Sequence, residues 1–307
     1  MIVSCGEALI DFLPRRNAKG EAVYEPVPGG SPMNVAIAIG RLGARAGFFG
    51  GLSTDFFGDT LRAALKKSGV DTSFANVSDR PTTLAFVDFA DGDARYAFFD
   101  ESSAGRMLTE NDLPAFPTDV AALHFGSFSL AEEPCGSAFE ALMQREQRDR
   151  VISLDVNVRP TLIKNRDGYM ARIERVVEMA DIVKLSTEDL AWLAPGRDFD
   201  AVAGRWLAAG AKLIVLTKGA DGAVAASQSA SAKVPGIAVT VVDTVGAGDT
   251  FTAALLVRLD QLGLLTKPAV AVLTSRQLTD VMTFAAKTAA VTVSRPGADS
   301  PRLSELA

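Results

Sequence analysis

From residue 120 onward the sequence alternates short apolar runs with amphipathic stretches, and this alternation constrains the fold more than any other feature. AALHFGSF, VISLDVNV, DIVKLS and LIVLTKG read as strands, and helical spacing falls near 134–148, 168–179 and 200–209. Strands separated by helices of this length predict an α/β architecture with a parallel sheet covered on both faces. Such sheets hold ligands at the carboxyl ends of their strands. The polar residues that follow the runs are therefore candidate site residues: Asp11, Asp155, Asn157, Arg159, Lys184, Thr217 and Lys218. Asp155, Asn157 and Arg159 alternate, which puts them on one face if the strand continues through them.

The first hundred residues are organised differently. Residues 1–13 read as a buried strand running into a loop, and 15–30 as a loop or short edge strands. Apolar spacing predicts helices over 34–42 and 57–68, with the apolar run AGFFGGL between them. TTLAFVDF and ARYAFF alternate with period two around Asp91-Gly92, a hairpin signal. Thr83, Ala85, Val87 and Phe89 share one face of this hairpin, Leu84 and Phe86 the other. Both faces are apolar, so both need covering: one by the main body or its ligand, the other by a second subunit.

A length of 307 residues suits one large domain with a small appendage. The net charge of −6 argues against nucleic acid as the main partner, since phosphate neutralisation needs clustered Lys and Arg. Two cysteines, Cys5 and Cys135, and one histidine make a zinc site or a Ser-His-Asp triad improbable, unless His124 serves. His124 reads as a core histidine and Cys5 as a small buried hydrophobe. The start, MIVSCGEALIDFL, carries Glu7 and Asp11 and no basic flank, unlike a signal peptide. No uncharged run nears the ~20 residues that span a bilayer. A reducing cytoplasm is the expected setting.

The most informative stretch is VTVVDTVGAGDTFTAALLVRLDQLG (239–263). It reads as a β-branched strand over 239–242, a Gly/Asp turn over 243–249, and a helix over 250–262. The unpaired amides and dipole of a helix start attract anions. Gly246 and Gly248 let a phosphate reach the backbone without meeting a Cβ. A carboxylate at Asp249 would repel that phosphate unless an acceptor hydroxyl lies between them. Asp249 would then take the hydroxyl proton while the amides of Gly246, Ala247 and Gly248 hold the transferring group. The helix start should keep Asp249 ionised and hence a weak base. The plain alternative is that Asp249 only caps the helix. A dinucleotide turn is disfavoured because GAGDTF lacks the third glycine of G-x-G-x-x-G, and no P-loop occurs.

DTVGAGDTF resembles the C-terminal signature of the ribokinase-like family of carbohydrate kinases. PGGSPMNVAIAIGRLG (28–43), GGLSTDFFGDTLRAALKKSGVD (50–71), LDVNVRP (154–160) and LTKGADGA (216–223) are similar to further family segments, in the same order over nearly the whole chain. The resemblance implies a three-layer α/β/α sandwich with a mostly parallel sheet and a small β lid. Residues 1–307 would form a single kinase domain, with lid segments at about 12–30 and 82–99. It implies Asp249 as base, with Gly246, Ala247 and Gly248 as anion hole. Asp11, Gly30 and Asn34 would bind sugar hydroxyls, and Arg159 the substrate or the transferring phosphate. Thr217, Gly219 and Gly222 would lie along ATP. One departure concerns the family's N-x-x-E near the metal, where KLSTED puts Ser186 and Asp189. These can still order waters around Mg²⁺, with Lys184 on phosphate. A potassium-like ion beside the anion hole would use Asp243 and carbonyls near Gly297.

FFDESSAGRML (98–108) and HFGSFSL (124–130) look most like bacterial fructokinases, with Tyr96, Phe98 and Phe128 covering a sugar face. Fructose is therefore the first expected acceptor and 2-keto-3-deoxygluconate the second. A sugar-binding sensor without catalysis is the reading from a different class. FAAKTAAVTVSRPG (284–297) reads as a small-residue helix that packs on adenine or on the sheet. The two-faced hairpin points to a homodimer through the lid.

Overall fold

A computed structural model describes residues 1–90 and 93–306, with the side chains of 89–96 outside the description. The expected Asp91-Gly92 turn and the side chains of Phe89 and Tyr96 therefore lie outside the described residues. The first part of the chain forms β1 (Ile2–Cys5), β2 (Leu9–Arg16), β3 (Ala22–Gly29), α1 (Ser31–Arg41), β4 (Ala46–Phe49) and β5 (Gly51–Ser53). There follow α2 (Phe56–Lys67), β6 (Val70–Asp71), β7 (Asn76–Ser78), β8 (Thr83–Ala90) and β9 (Asp93–Phe99). The alternating part comprises β10 (Ala122–Gly126), α3 (Cys135–Glu146), β11 (Val151–Asp155), α4 (Arg166–Met179), β12 (Ile182–Ser186), α5 (Thr187–Leu193), α6 (Phe199–Ala209) and β13 (Leu213–Thr217). The chain closes with β14 (Ala223–Ser227), β15 (Ser231–Val234), α7 (Ala247–Gln261), α8 (Lys267–Val270) and α9 (Ser275–Val293).

Nine strands form the main sheet in the order β15-β14-β13-β12-β11-β10-β1-β4-β6. Neighbours from β6 to β13 run parallel, and β14 and β15 add an antiparallel edge. Alternate side chains of each strand enter different cores. Ile2, with residues of α1, α2, α7 and α9, belongs to one; Val3, with residues of α3, α4 and α6, belongs to the other. This is the three-layer sandwich expected from the strand–helix alternation. Strand order reverses between β1 and β10, and such a switch point opens a crevice beyond the strand ends.

Over that crevice lies a second sheet, ordered β3-β2-β8-β9. Its strands come from residues 9–29 and 83–99. The N-terminal apolar run is thus two strands in two sheets, divided at Gly6, where a Cβ would lie 2.4 Å from Pro32 Cγ. Residues 22–29 form an eight-residue edge strand, the second of the two expected alternatives, and a longer one than expected. Val87 and Ala85 are buried on the inner face of the hairpin, while Phe86 of the outer face stacks on Phe12 at 4.4 Å and meets Phe99 and Tyr24 edge-on.

Three further expectations are corrected. Residues 239–242 form no strand: Val239 and Val241 are 39% and 63% exposed, because β-branched residues extend into a ladder only beside a strand edge that can pair with them. α7 begins at Ala247 rather than 250, with Gly246 at its cap and Gly248 inside its first turn. Asn157 adopts φ 40°, so the strand stops at Asp155, and Asp155, Asn157 and Arg159 do not share a strand face.

Candidate active site

Gly246 is the N-cap of α7 at φ 75°, and a Cβ there would lie 2.5 Å from Ala298 Cβ. The position therefore needs glycine both for its left-handed backbone and for the close packing of the 294–300 loop. Ala247, Gly248 and Asp249 make the first turn, whose amides have no intrahelical acceptor. The helix dipole adds positive potential to this floor of N–H groups. At Gly248 a Cβ would stand 3.0 Å from Lys184 Nζ, so the lysine ammonium lies directly beside the floor.

Asp249 is 8% exposed. Its Oδ1 accepts a hydrogen bond from Ser31 Oγ at 2.6 Å and its Oδ2 one from Asn34 Nδ2 at 2.9 Å. Both donors belong to α1, so the carboxylate joins two helices at the crevice. It does not cap α7; Gly246 does. Burial raises its pKa, Ser31 and Asn34 draw it down, and Asp155 raises and Lys184 lowers it further. Burial is the largest of these influences and leaves the carboxyl above the ordinary aspartate range, while the helix start favours the ionised form. A raised pKa makes it the stronger base.

Lys184 and Asp155 form a buried pair under this turn, with Nζ donating to Asp155 Oδ2 at 2.8 Å and Thr252 Oγ1 to the same oxygen at 3.2 Å. Burial works against the ammonium, but Asp155 and Asp189 more than restore it, so Lys184 stays charged. Asp189 has other duties. Its Oδ1 accepts from Val158 N at 2.7 Å and its Oδ2 from Ser186 N at 2.8 Å, while Ser186 Oγ accepts from Asp189 N. It closes a capping box on α5 and is 5% exposed. Each carboxylate oxygen is thus held by one backbone amide.

The sugar-side candidates converge below the lid. A Cβ at Gly29 would fall 2.1 Å from Asp11 Oδ2, and one at Gly30, at φ 101°, would fall 2.6 Å from Glu7 O. Two glycines thus make room for the Asp11 carboxylate and for the chain crossing into α1. Burial lifts the pKa of Asp11 to about 6, against the pull of Arg159. Phe98, opposite Ala85 on the inner face, lies 5.4 Å from the ring of Phe128. Arg159 is exposed, its Nη1 donates to Asn157 Oδ1 at 2.6 Å and to Val158 O at 3.1 Å, and its charge draws down the pKa of Asp11.

The nucleotide candidates follow β12 and β13. Thr217 Oγ1 donates to Leu185 O at 3.4 Å. Gly219 and Gly222 adopt φ 53° and 87°, and a Cβ at Gly222 would strike Val234 O at 2.1 Å. Asp243 joins the turn before α7 to the loop after α9, accepting from Val245 N at 3.0 Å and Gly297 N at 2.8 Å. His124 is a core residue: it is fully buried, its Nδ1 meets Ser153 Oγ at 3.1 Å, and burial drives its pKa down to about 3. Ser31 was missed from sequence. A serine before a proline reads as ordinary helix-start chemistry, and only the fold brings α7 to it.

A profile of the pfkB family carbohydrate kinases matches residues 1–305. The chain belongs to the pfkB family. It is 51% identical over 278 residues to a fructokinase of Rhizobium leguminosarum bv. trifolii, covering 91% of this chain and 85% of that protein. It is 35% identical to fructokinase-1 of Zea mays, covering 97% and 93%. In fold it is similar to a Xylella fastidiosa fructokinase with bound ATP, at TM-score 0.90 and 30% identity over 99% of this chain and 96% of that one. A Vibrio cholerae O395 fructokinase described with fructose, ADP and calcium superposes at TM-score 0.85 and 28% identity, covering 99% and 97%. This pfkB member has the large mostly parallel sheet, flanking helices and smaller sheet that its structural relatives share, and it is an ATP-dependent carbohydrate kinase.

Replacing Ser31 with alanine removes the shortest bond to Asp249. Losing a hydrogen bond to the charged form raises the Asp249 pKa. The acid limb of kcat/KM for sugar phosphorylation should therefore move to higher pH. A limb that stays in place in a pH–rate profile of Ser31→Ala would show that the bond does not tune the base.

Proposed function

We propose that this kinase transfers the γ-phosphoryl group of ATP to the 6-hydroxyl of D-fructose, giving fructose 6-phosphate and ADP. The observation that carries the reaction is the position of Asp249, buried on the first turn of α7 and bonded to Ser31 and Asn34. The similarity to bacterial and plant fructokinases supports fructose as the acceptor.

Asp11 and Asn34 hold sugar hydroxyls under the lid, with Phe98 and Phe128 against the carbon face. Asp249 accepts the proton of the attacking hydroxyl as its oxygen bonds to the γ-phosphorus and the bond to the ADP oxygen breaks. The amides from Gly246 to Asp249 hold the phosphoryl oxygens, Lys184 adds a fixed charge beside Gly248, and Arg159 reaches in from the strand end. Thr217, Gly219 and Gly222 line the nucleotide. Lid closure keeps water from the phosphoryl group.

The donor set suits a hydrated Mg²⁺ carried on the ATP phosphates: both oxygens of Asp189 and Oδ2 of Asp155 are engaged by protein groups, and the buried Asp155 Oδ1 has no partner among the described residues. When bound, Mg²⁺ neutralises charge on the β- and γ-phosphates. Asp243, bridging the turn and the Gly297 loop, together with nearby carbonyls suits a potassium-like ion. Calcium and potassium occur in the described complexes of the Vibrio cholerae fructokinase. No described helix is long and apolar enough to cross a membrane, and both cysteines are free and buried. We place the reaction in the cytoplasm.

ADP release should be strong with fructose and at least tenfold weaker with 2-keto-3-deoxygluconate, ribose, glucose or adenosine. It should vanish in EDTA and return with Mg²⁺, and it should run faster in potassium than in sodium. Preference for another acceptor would replace fructose, and equal rates in the two salts would remove the potassium site.

The outer lid face carries Phe12, Phe86, Tyr24 (48% exposed) and Phe99 (61% exposed). A second copy of this chain, meeting the first lid to lid about a twofold axis, would cover that face. Light scattering should give a dimer that Phe99→Asp dissociates; a monomer at micromolar concentration would contradict this.

A further inference from the structure

Two polar segments leave the sheet at its switch point: Gly6-Glu7-Ala8 after β1 and Ser127–Leu130 after β10. Glu7 is 4% exposed, and neither carboxyl oxygen has a hydrogen-bond partner among the described residues. The hydroxyls of Ser127 and Ser129 lie near enough to draw its pKa down without closing a bond, and Arg159 acts from farther away. Burial dominates and lifts the pKa to about 7. The guanidinium of Arg106, which lines the same cavity, is committed elsewhere. Arg106 donates to both oxygens of Asp100 at 3.0 and 3.1 Å and to the Glu133 carbonyl, and pairs with Glu132. A purely structural carboxyl group would not be left unpartnered at such burial.

Glu7 instead faces a cavity of about 10 Å³, lined also by Thr83, Asp100, Arg106, Phe128 and Ser129. That volume admits about one water molecule. Two of its walls belong to the sugar chamber as well. Thr83 lies in the inner row of β8 two residues before Ala85, and the Phe128 ring packs against Phe98. Asp249 is gripped from α1, whereas Glu7 points toward Ser129 and Cys135 at the start of α3.

We propose that Glu7 determines acceptor specificity, holding through one water in this cavity a hydroxyl at the end of the sugar remote from Asp249. The inference rests on the fructokinase reading and deepens it. A ketose whose 6-hydroxyl meets Asp249 directs its C1 hydroxymethyl group toward the cavity. That group donates a hydrogen bond, which the unpartnered carboxyl can receive through the water. A sugar acid would bring a carboxylate to the same place. There it meets Glu7, Asp100 and Glu132; Arg106 is already paired, Arg159 and Lys164 add only long-range charge, and like charge excludes it. The cavity thus selects a neutral ketose over a 2-keto sugar acid of similar size.

The test compares Glu7→Leu, which removes the acceptor oxygens, with wild type on fructose, 1-deoxyfructose and 2-keto-3-deoxygluconate. In the variant the KM for fructose should rise about tenfold, the loss of one hydrogen bond. The kcat should hold within about threefold and the KM for ATP should not move. Selectivity for fructose over the sugar acid should fall. Wild type should lose about tenfold in kcat/KM on 1-deoxyfructose, and the variant should lose nothing further on it. A variant that only melts earlier, with KM and selectivity unchanged, overturns the proposal. So does a wild type that uses fructose and 1-deoxyfructose equally well, a result that does not require the variant to fold. A wild type inactive on fructose refutes the fructokinase reading itself, before Glu7 is in question.

Discussion

The two hydrogen bonds from α1 to Asp249 hold the catalytic arrangement together. A carboxylate at a helix start, buried at 8% exposure, is tolerable only when its oxygens are bonded. Ser31 and Asn34 supply those bonds from a segment that enters its helix through Gly30, where no side chain fits. The same contact sets the base strength, since burial raises the proton affinity of Asp249 and the two donors limit the rise. It also fixes the distance between α7, which offers the amide floor, and α1, which closes the sugar side. Lys184 completes the balance: its charge is maintained by Asp155 and lies beside Gly248, where the proposed transfer would develop negative charge.

The topology explains why these groups meet. Strand order reverses between β1 and β10, so the chain leaves the sheet in opposite directions on either side of one crevice. The lid is inserted at this point, with β2 following β1 after a three-residue break at Gly6. Its inner face brings Asp11 and Phe98 over the crevice, and its outer face bears the stacked aromatic rings. Lid position and sugar contacts are therefore linked through the backbone, without a separate hinge domain.

Much of this was legible in the sequence because it is local. The 243–251 turn carries its own chemistry in two glycines and an aspartate, and the later strands announce themselves by period and length. The errors arose where a tertiary partner decides. Val239 and Val241 have strand propensity but no strand edge beside them. Gly246 and Gly248 looked like breakers before a helix and lie at its cap and in its first turn, shifting the start to Ala247. Ser31 and Glu7 gave no signal, because what distinguishes them is a bond made across 218 positions in one case and a buried carboxyl left without any in the other.

The central claim is that Asp249 takes the proton of the acceptor hydroxyl while contributing little to holding the sugar. Single-turnover phosphoryl transfer by Asp249→Asn, measured beside calorimetric sugar binding, tests it directly. The amide keeps a partner for Ser31 and the shape of the site but cannot accept the proton. Transfer should slow by about a thousandfold, within the range of general-base contributions, with the sugar Kd changed less than about fivefold. Transfer within tenfold of wild type would contradict the claim and return Asp249 to the role of a structural link between α1 and α7.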